Sequence, residues 1–183
     1  MKLVSSSIGY CSELKGEDCR VQFDRPDLGV TGLPTEVALK VMVEKMGVPD
    51  DKARKKIRGL QIMANYLIDN NSVKLGCCDW WTKRSKRVGT LELDRIRMSM
   101  SVIVREPGGH NRLLVKGAVE SVLDCSSHVQ LADGCVVEMD KSCRQLLLSR
   151  HVEMSSKGLR CLGLAYKDDA AGGNQKWKAF RNN

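Results

Sequence analysis

The chain has 183 residues and a formal net charge of +8, a length that suits one domain, or one domain with a loose tail. A hydrophobic fraction of 42% with 28% charged residues excludes wholesale disorder, and no run approaches the roughly 18 consecutive apolar residues of a membrane helix. The positive charge points to an anionic partner, whether nucleic acid, a membrane surface or a phosphate-bearing small molecule.

Residues 1–30 read as an irregular segment, broken by Arg25, Pro26, Asp27 and Gly29. The apolar run at the N-terminus is too short for a secretory signal, so the chain reads as cytosolic. From Thr35, a suitable N-cap, Ala38, Val41, Met42, Lys45 and Met46 fall at helical spacing, and Gly47 and Pro49 stop the helix. A second helix is predicted over 50–69 and a third over 77–84. The pattern then turns to strands, over 90–94 and 100–104, with a turn cluster at 106–111 and a partner strand over 112–116. A short helix is predicted over 118–125, and a hairpin over 129–139 turns at Asp133 and Gly134. Asp140 caps a long helix in which Cys143, Leu146, Leu147 and Met154 share a face, and Gly158 ends it. An apolar strand over 159–166 closes the pattern, and 168–183 is expected to be a disordered tail. Hairpins between several strands, with helices interspersed, predict an α+β fold: a largely antiparallel sheet flanked by helices.

Eight cysteines raise the question of zinc or disulfides, but no C-x-x-C pair occurs and no histidine stands at finger spacing. No metal site is expected, and the thiols are read as reduced and mostly structural. The densest basic runs, 52–58 and 83–87, each have the plainer reading of a solvated helix face.

Three segments in order carry a resemblance. Pro34-Thr35-Glu36-Val37-Ala38-Leu39 resembles the Thr-Glu-x-Ala-Leu box that opens the first long helix of P-type ATPase nucleotide-binding domains. The run from Thr90 to Val102 is similar to the calcium-pump segment T-L-E-F-x-R-x-R-K-S-M-S-V, and Lys116-Gly117-Ala118-Val119-Glu120 resembles the K-G-A-P-E box. Gly158-Leu159-Arg160-Cys161-Leu162 is a weaker match, and Cys77-Cys78-Asp79-Trp80-Trp81 looks like the plant endoplasmic-reticulum type of calcium pump. The resemblance covers 31–167, taken as a nucleotide-binding domain between the irregular segment over 1–30 and the tail over 168–183.

The resemblance implies ATP as ligand, held in a cleft with an apolar wall, a polar group for the base edge and cations for the phosphates. Glu36 would accept from the adenine amino group, and Lys116, with Gly117 beside it, would reach the nucleotide from a strand end. Arg95 and Arg160 would meet phosphate oxygens, where a guanidinium fork suits the geometry. Taken singly, each has a plainer reading: Glu36 as a first-turn carboxylate favoured by the helix dipole, Lys116 as an exposed lysine, Arg95 as a strand-edge charge. Two departures weaken the expected site. The family's adenine-stacking aromatic falls at Leu93, and the lysine expected after Arg97 is Met98. Base stacking on an aromatic is worth about 1–3 kcal/mol, so affinity at least tenfold below that of an intact family domain is expected.

The sequence contains no D-K-T-G-T motif, nor the T-G-D and G-D-G-x-N-D elements that bind magnesium and position the phosphoryl group. The resemblance therefore implies a fragment of a calcium-transporting pump, by excision, truncation or as a relic, with no catalytic residues of its own and Mg needed only together with the missing domain. The expected partners are ATP and the phosphorylation domain of an intact pump, with no nucleic acid, no membrane insertion and a monomeric state. Its place would be the cytosol, or the cytosolic face of the endoplasmic reticulum or another endomembrane within a full pump. The competing readings are a basic nucleic-acid-binding module built on 83–87, and a non-binding scaffold of the same fold.

Overall fold

The computed structural model describes residues 1–4, 34–66 and 76–168. It divides into two compact units, Met1–Ser5 with Arg87–Asn183, and Ser6–Lys86.

The first unit is built on a seven-stranded sheet of β1 (Lys2–Val4), β2 (Lys86–Asp94), β3 (Ser99–Arg105), β4 (Asn111–Gly117), β5 (His128–Gln130), β6 (Val136–Glu138) and β7 (Gly163–Lys167), in the order β2-β3-β4-β7-β1-β5-β6. The registered pairs are antiparallel except β1 with β5, so the α+β, largely antiparallel architecture read from the sequence is the observed one. Strand β4 lies between β3 and β7, and Leu113, Leu114, Val115 and Lys116 on it are all buried. A strand buried on both faces reads as a continuous apolar run rather than an alternation, and Leu113-Leu114-Val115 is such a run. On one face Leu113, Val115 and Ala165 join Val122 and Leu123 of α4 (Val119–Asp124), with Cys143, Leu147 and Leu148 of α5 (Lys141–Ser156) packed against them. Met100, Val102, Leu114, Lys116 and Tyr166 project from the opposite face, by the alternation of side chains along paired strands.

Several boundaries differ from the sequence reading, each for a local reason. The segment over 1–30 begins with a strand, β1, whose three residues are too few for a period and whose partners β5 and β7 lie more than a hundred residues away; the rest of that segment lies outside the described residues. Helix α5 is capped as expected, Cys143 N donating to Asp140 Oδ1 at 2.6 Å. Its covered side chains are Cys143, Leu147 and Leu148, whereas Leu146 and Met154 are exposed. The helix ends in a Schellman motif: Gly158 has φ 75, its N–H donates to Ser155 O, and Leu159 N–H donates to Met154 O. That motif consumes Leu159, and β7 starts only at Gly163. At its far end Asp168 accepts from Arg112 Nε at 2.6 Å; the remainder of the expected tail lies outside the described residues.

The second unit holds α1 (Pro34–Met46), α2 (Asp51–Tyr66) and α3 (Cys77–Arg84). Pro34 opens α1, a position where a missing N–H costs nothing. Its buried residues are Leu39 and Val43, while Ala38 and Met46 of the expected face are exposed, so the covered stripe is rotated from the one read off the sequence. Asp50 caps α2, accepting from Lys52 N at 2.8 Å and Ala53 N at 3.1 Å; the expected end over 67–69 lies outside the described residues. Helix α3 has Gly76 at its N-cap with no side chain to offer. Glu44 of α1 serves instead, its Oε2 accepting from Cys77 N at 2.8 Å and its Oε1 from Cys78 N at 3.0 Å. The Gly76 hydrogen faces that carboxylate; a Cβ there would stand 2.6 Å from Oε1. Burial, aided by the Glu44 charge, pushes the Cys77 thiol up to about 11, so it stays protonated.

Candidate functional site

Strand pairing decides which sequence candidates meet. Strand β4 runs out at Gly117, directly opposite Ser99 at the start of β3 and Gly163 at the start of β7. The end of β2, its turn into β3, the end of β4 and the segment entering β7 therefore lie at one end of the sheet. Leu93 and Arg95 sit in and beside that turn, Lys116 and Gly117 close β4, and Arg160 lies just ahead of β7. Glu36 belongs to the other unit, half-buried in the first turn of α1 and engaged within the protein.

The turn is built by a residue that the sequence reading passed over. Asp94 Oδ1 accepts from Ile96 N at 2.7 Å and Arg97 N at 3.3 Å, an Asx-turn that stands in for a backbone turn. These backbone N–H bonds, with smaller help from Arg97, hold the Asp94 carboxyl below its ordinary value. Arg97 adds a hydrogen bond from Nη2 to Glu92 O at 3.2 Å, so it is spent on the turn. The available signal was an aspartate two residues before an isoleucine flanked by arginines, where no strand alternation continues. Met98 closes the turn with φ 50, a left-handed conformation for a side chain that has no local hydrogen bond to offer. Its carbonyl accepts from Ala118 N at 3.0 Å. The glycine of the Lys-Gly-Ala box is required by this approach, since a Cβ on Gly117 would lie 2.5 Å from Met98 O and 2.7 Å from Ser99 Cβ.

Charge in this unit is distributed unequally. Arg97, Arg105, Arg112, Arg144 and Arg150 all have hydrogen-bond partners in the protein, and Arg87 is also engaged. Among the described residues of this unit, Arg95 and Arg160 are the arginines left exposed without a protein partner, and both lie at this end. Lys116 differs from its plainer reading as an exposed lysine: it is 6% exposed, engaged within the protein, and paired in register with Met100 and Leu164. Uncovered apolar groups accompany the cations. Leu93 is 69% exposed, Ile96 88%, and Met98 and Leu159 are each more than half exposed.

The basic run over 83–87 has a different setting. Lys83, Arg84 and Lys86 are exposed, but Arg84 lies over the Trp80 ring at 5.5 Å, and Trp80 meets Trp81 edge to face at 4.9 Å. The Trp81 indole N–H donates to Gly47 O at 3.3 Å. Both indoles are thus committed to packing. Among the described residues no group of three or more His, Cys, Asp or Glu side chains is placed to hold a metal, and no helix is long and apolar enough to cross a membrane.

The family model described as the P-type ATPase cytoplasmic domain N matches residues 10–181, beyond both ends of the 31–167 span. The chain is 58% identical over 152 residues to Calcium-transporting ATPase 2, endoplasmic reticulum-type, of Arabidopsis thaliana, covering 83% of this chain and 14% of that protein. It is 40% identical over 168 residues to Calcium-transporting ATPase 4, endoplasmic reticulum-type, of the same plant, covering 92% and 14%. With the Endoplasmic reticulum calcium ATPase srcA of Aspergillus fumigatus it shares 38% over 141 residues, covering 76% and 14%. The chain thus spans 14% of the length of each of these relatives.

Proposed function

The chain belongs to the family of P-type ATPase cytoplasmic N domains, and from that premise we propose that it binds ATP weakly at the open end of its sheet, as the nucleotide-binding portion, over 31–167, of a calcium-transporting pump. The observation that carries this reading is the pair of exposed, unpartnered guanidinium groups, Arg95 and Arg160, at the same end of the sheet as the buried Lys116. Exposed guanidinium forks are suited to phosphate oxygens, which they bind two bonds at a time. Leu93 gives the adenine apolar cover without a π-face, and Gly117 lets the backbone pass close beneath the turn. Glu36 serves the adenine amino group, a role taken from the family pattern. The phosphorylation domain of an intact pump is the protein partner and supplies the Mg site, and the working position is the cytosolic face of the endoplasmic reticulum. The names of the plant and fungal relatives support that placement.

Chemical-shift titration of the chain with ATP tests this. Shifts confined to Arg95, Lys116, Gly117, Arg160 and Glu36, with a dissociation constant near millimolar, are expected, and Lys116→Ala should abolish them. Leu93→Phe should tighten binding about tenfold by restoring a stacking face. Micromolar affinity in the wild type would sink the assigned role of Leu93, and absence of shifts would leave a non-binding scaffold. Steeply salt-dependent oligonucleotide binding without any response to ATP would instead favour the nucleic-acid reading.

A further inference from the structure

The seven-stranded sheet ends on one side at β6, which pairs with β5 alone among the described residues. The bonds at the two ends of β6 fix which of its backbone groups face β5. Leu131 N donates to Cys135 O at 2.8 Å, and Met139 N donates to Ser127 O at 2.9 Å. Residues along an antiparallel pair alternate between bonding inward and bonding outward, so Cys135, Val137 and Met139 bond toward β5. Val136 and Glu138 therefore turn their N–H and C=O groups outward. The edge presents two donors and two acceptors, two residues apart.

The side chains of this edge are open as well. Val136 is 39% exposed and Val137 40%, and Glu138 is exposed. Val137 ends a registered row that crosses the sheet through Val115, Ala165, Leu3 and Val129. Val115, Ala165 and Val129 belong to the core under the helices. Directly paired residues share a face, so Val137 lies where that core runs out uncovered. The other edge strand is guarded: β2 carries Arg87, Glu92 and Asp94, with Gly89 among them, and charges along an edge discourage pairing. Strand β6 has no Lys, Pro or Gly.

We propose that β6 is an interface for a second copy of this chain, the two β6 strands joining antiparallel about a two-fold axis at Val137. The edge is self-complementary, as a two-fold contact requires. Centring on Val137 sets Val136 opposite Glu138 of the second copy, and Glu138 opposite its Val136. Each of these pairs exchanges two N–H···O bonds, so every outward group of both strands finds a partner. The two Val137 side chains meet as the close, non-hydrogen-bonded pair and carry the apolar row from one sheet into the next. Centring on Glu138 instead would set two carboxylates face to face, which is destabilising. Centring on Val136 would leave the outward groups of Glu138 without those of Val136. A three-residue edge covers well under the roughly 1,200 Å² of a stable complex, so the pairing is weak and the dilute chain is monomeric.

The test is a dilution series of the whole chain from roughly millimolar concentration, where weak contacts are populated, followed by sedimentation and by amide signals. The wild type should self-associate, with the Val136 and Glu138 amides shifting with concentration and gaining exchange protection. In a mixture of differently labelled copies, Val137 methyl groups of one copy should contact those of the other. Val137→Lys sets two like charges face to face, and Val136→Pro removes an outward N–H that β5 does not use. Each should weaken self-association at least about tenfold and leave the melting temperature of the dilute chain near that of the wild type. A wild type that stays monomeric at millimolar concentration overturns the proposal. Self-association that survives both substitutions, or concentration-dependent shifts that spare Val136 and Glu138, overturns it too.

Discussion

The turn at Arg95 to Met98 shows how one carboxylate can decide the exposure of its neighbours. Arg95 is presented where it is because Asp94 collects the amides of Ile96 and Arg97, while Arg97 is drawn inward by Asp94 and Glu92 O. Of two arginines that look equivalent in the sequence, one is structural and one is open. The Asp94 carboxyl is held below its ordinary value of 3.8. A depressed carboxylate stabilises the fold above the unfolded-state value, and that contribution is lost as pH falls through the folded-state value. On acidification below about pH 4 the wild type should therefore lose melting temperature more steeply than Asp94→Ala. Parallel acid profiles for the two proteins would remove Asp94 from the turn's energetics. The variant should also scatter the signals of Ile96 and Arg97 at neutral pH, since the Asx-turn is gone.

At the scale of elements, caps and close approaches explain what hydrophobic period cannot. Helix α3 is short and begins at a glycine, so by its own residues it lacks an N-cap; Glu44, thirty-odd residues earlier, fills that role by accepting two amides. Glu44→Ala should cost about 1 kcal/mol, the usual scale of a lost cap, and speed hydrogen exchange at the Cys77 and Cys78 amides selectively. Uniform exchange across α1 and α3 in the variant would show that the carboxylate does no local work. Such a contact has no sequence signature, because the pairing is through space and not through spacing. The covered stripe of α1 departs from the sequence expectation for a related reason. A helix with apolar residues on several sides, including Val37, Leu39, Val41, Met42, Val43 and Met46, offers more than one stripe, and only its neighbours select Leu39 and Val43. On α5, likewise, Leu146 and Leu148 are equally apolar, yet Leu148 is covered and Leu146 is exposed.

For the molecule as a whole, a fold of the N-domain family with no D-K-T-G-T motif in its sequence should hold a nucleotide and leave its γ-phosphate in place. Incubation with ATP and magnesium should yield neither acid-stable phosphoprotein nor phosphate release above background; either product would mean that the reading of the chain as a binding domain is incomplete. The fold class, the long strands, the Asp140 cap and the three family boxes were all legible in the sequence, because each rests on local period, turn chemistry or a short run of residues. The three-residue strand β1 was not legible, since strand pairing supplies its hydrogen bonds and its own length supplies no pattern. Nor was the burial of Lys116, which follows from β4 lying inside the sheet. The sequence alone determined which residue types stand in the family boxes. The tertiary structure alone decided that Leu93, Arg95, Lys116, Gly117 and Arg160 share one end of one sheet, and that Arg95 and Arg160 are left open while their neighbours are paired. The physical reason is that residue type and periodicity act along the chain, whereas register, burial and charge pairing are settled between segments far apart in it.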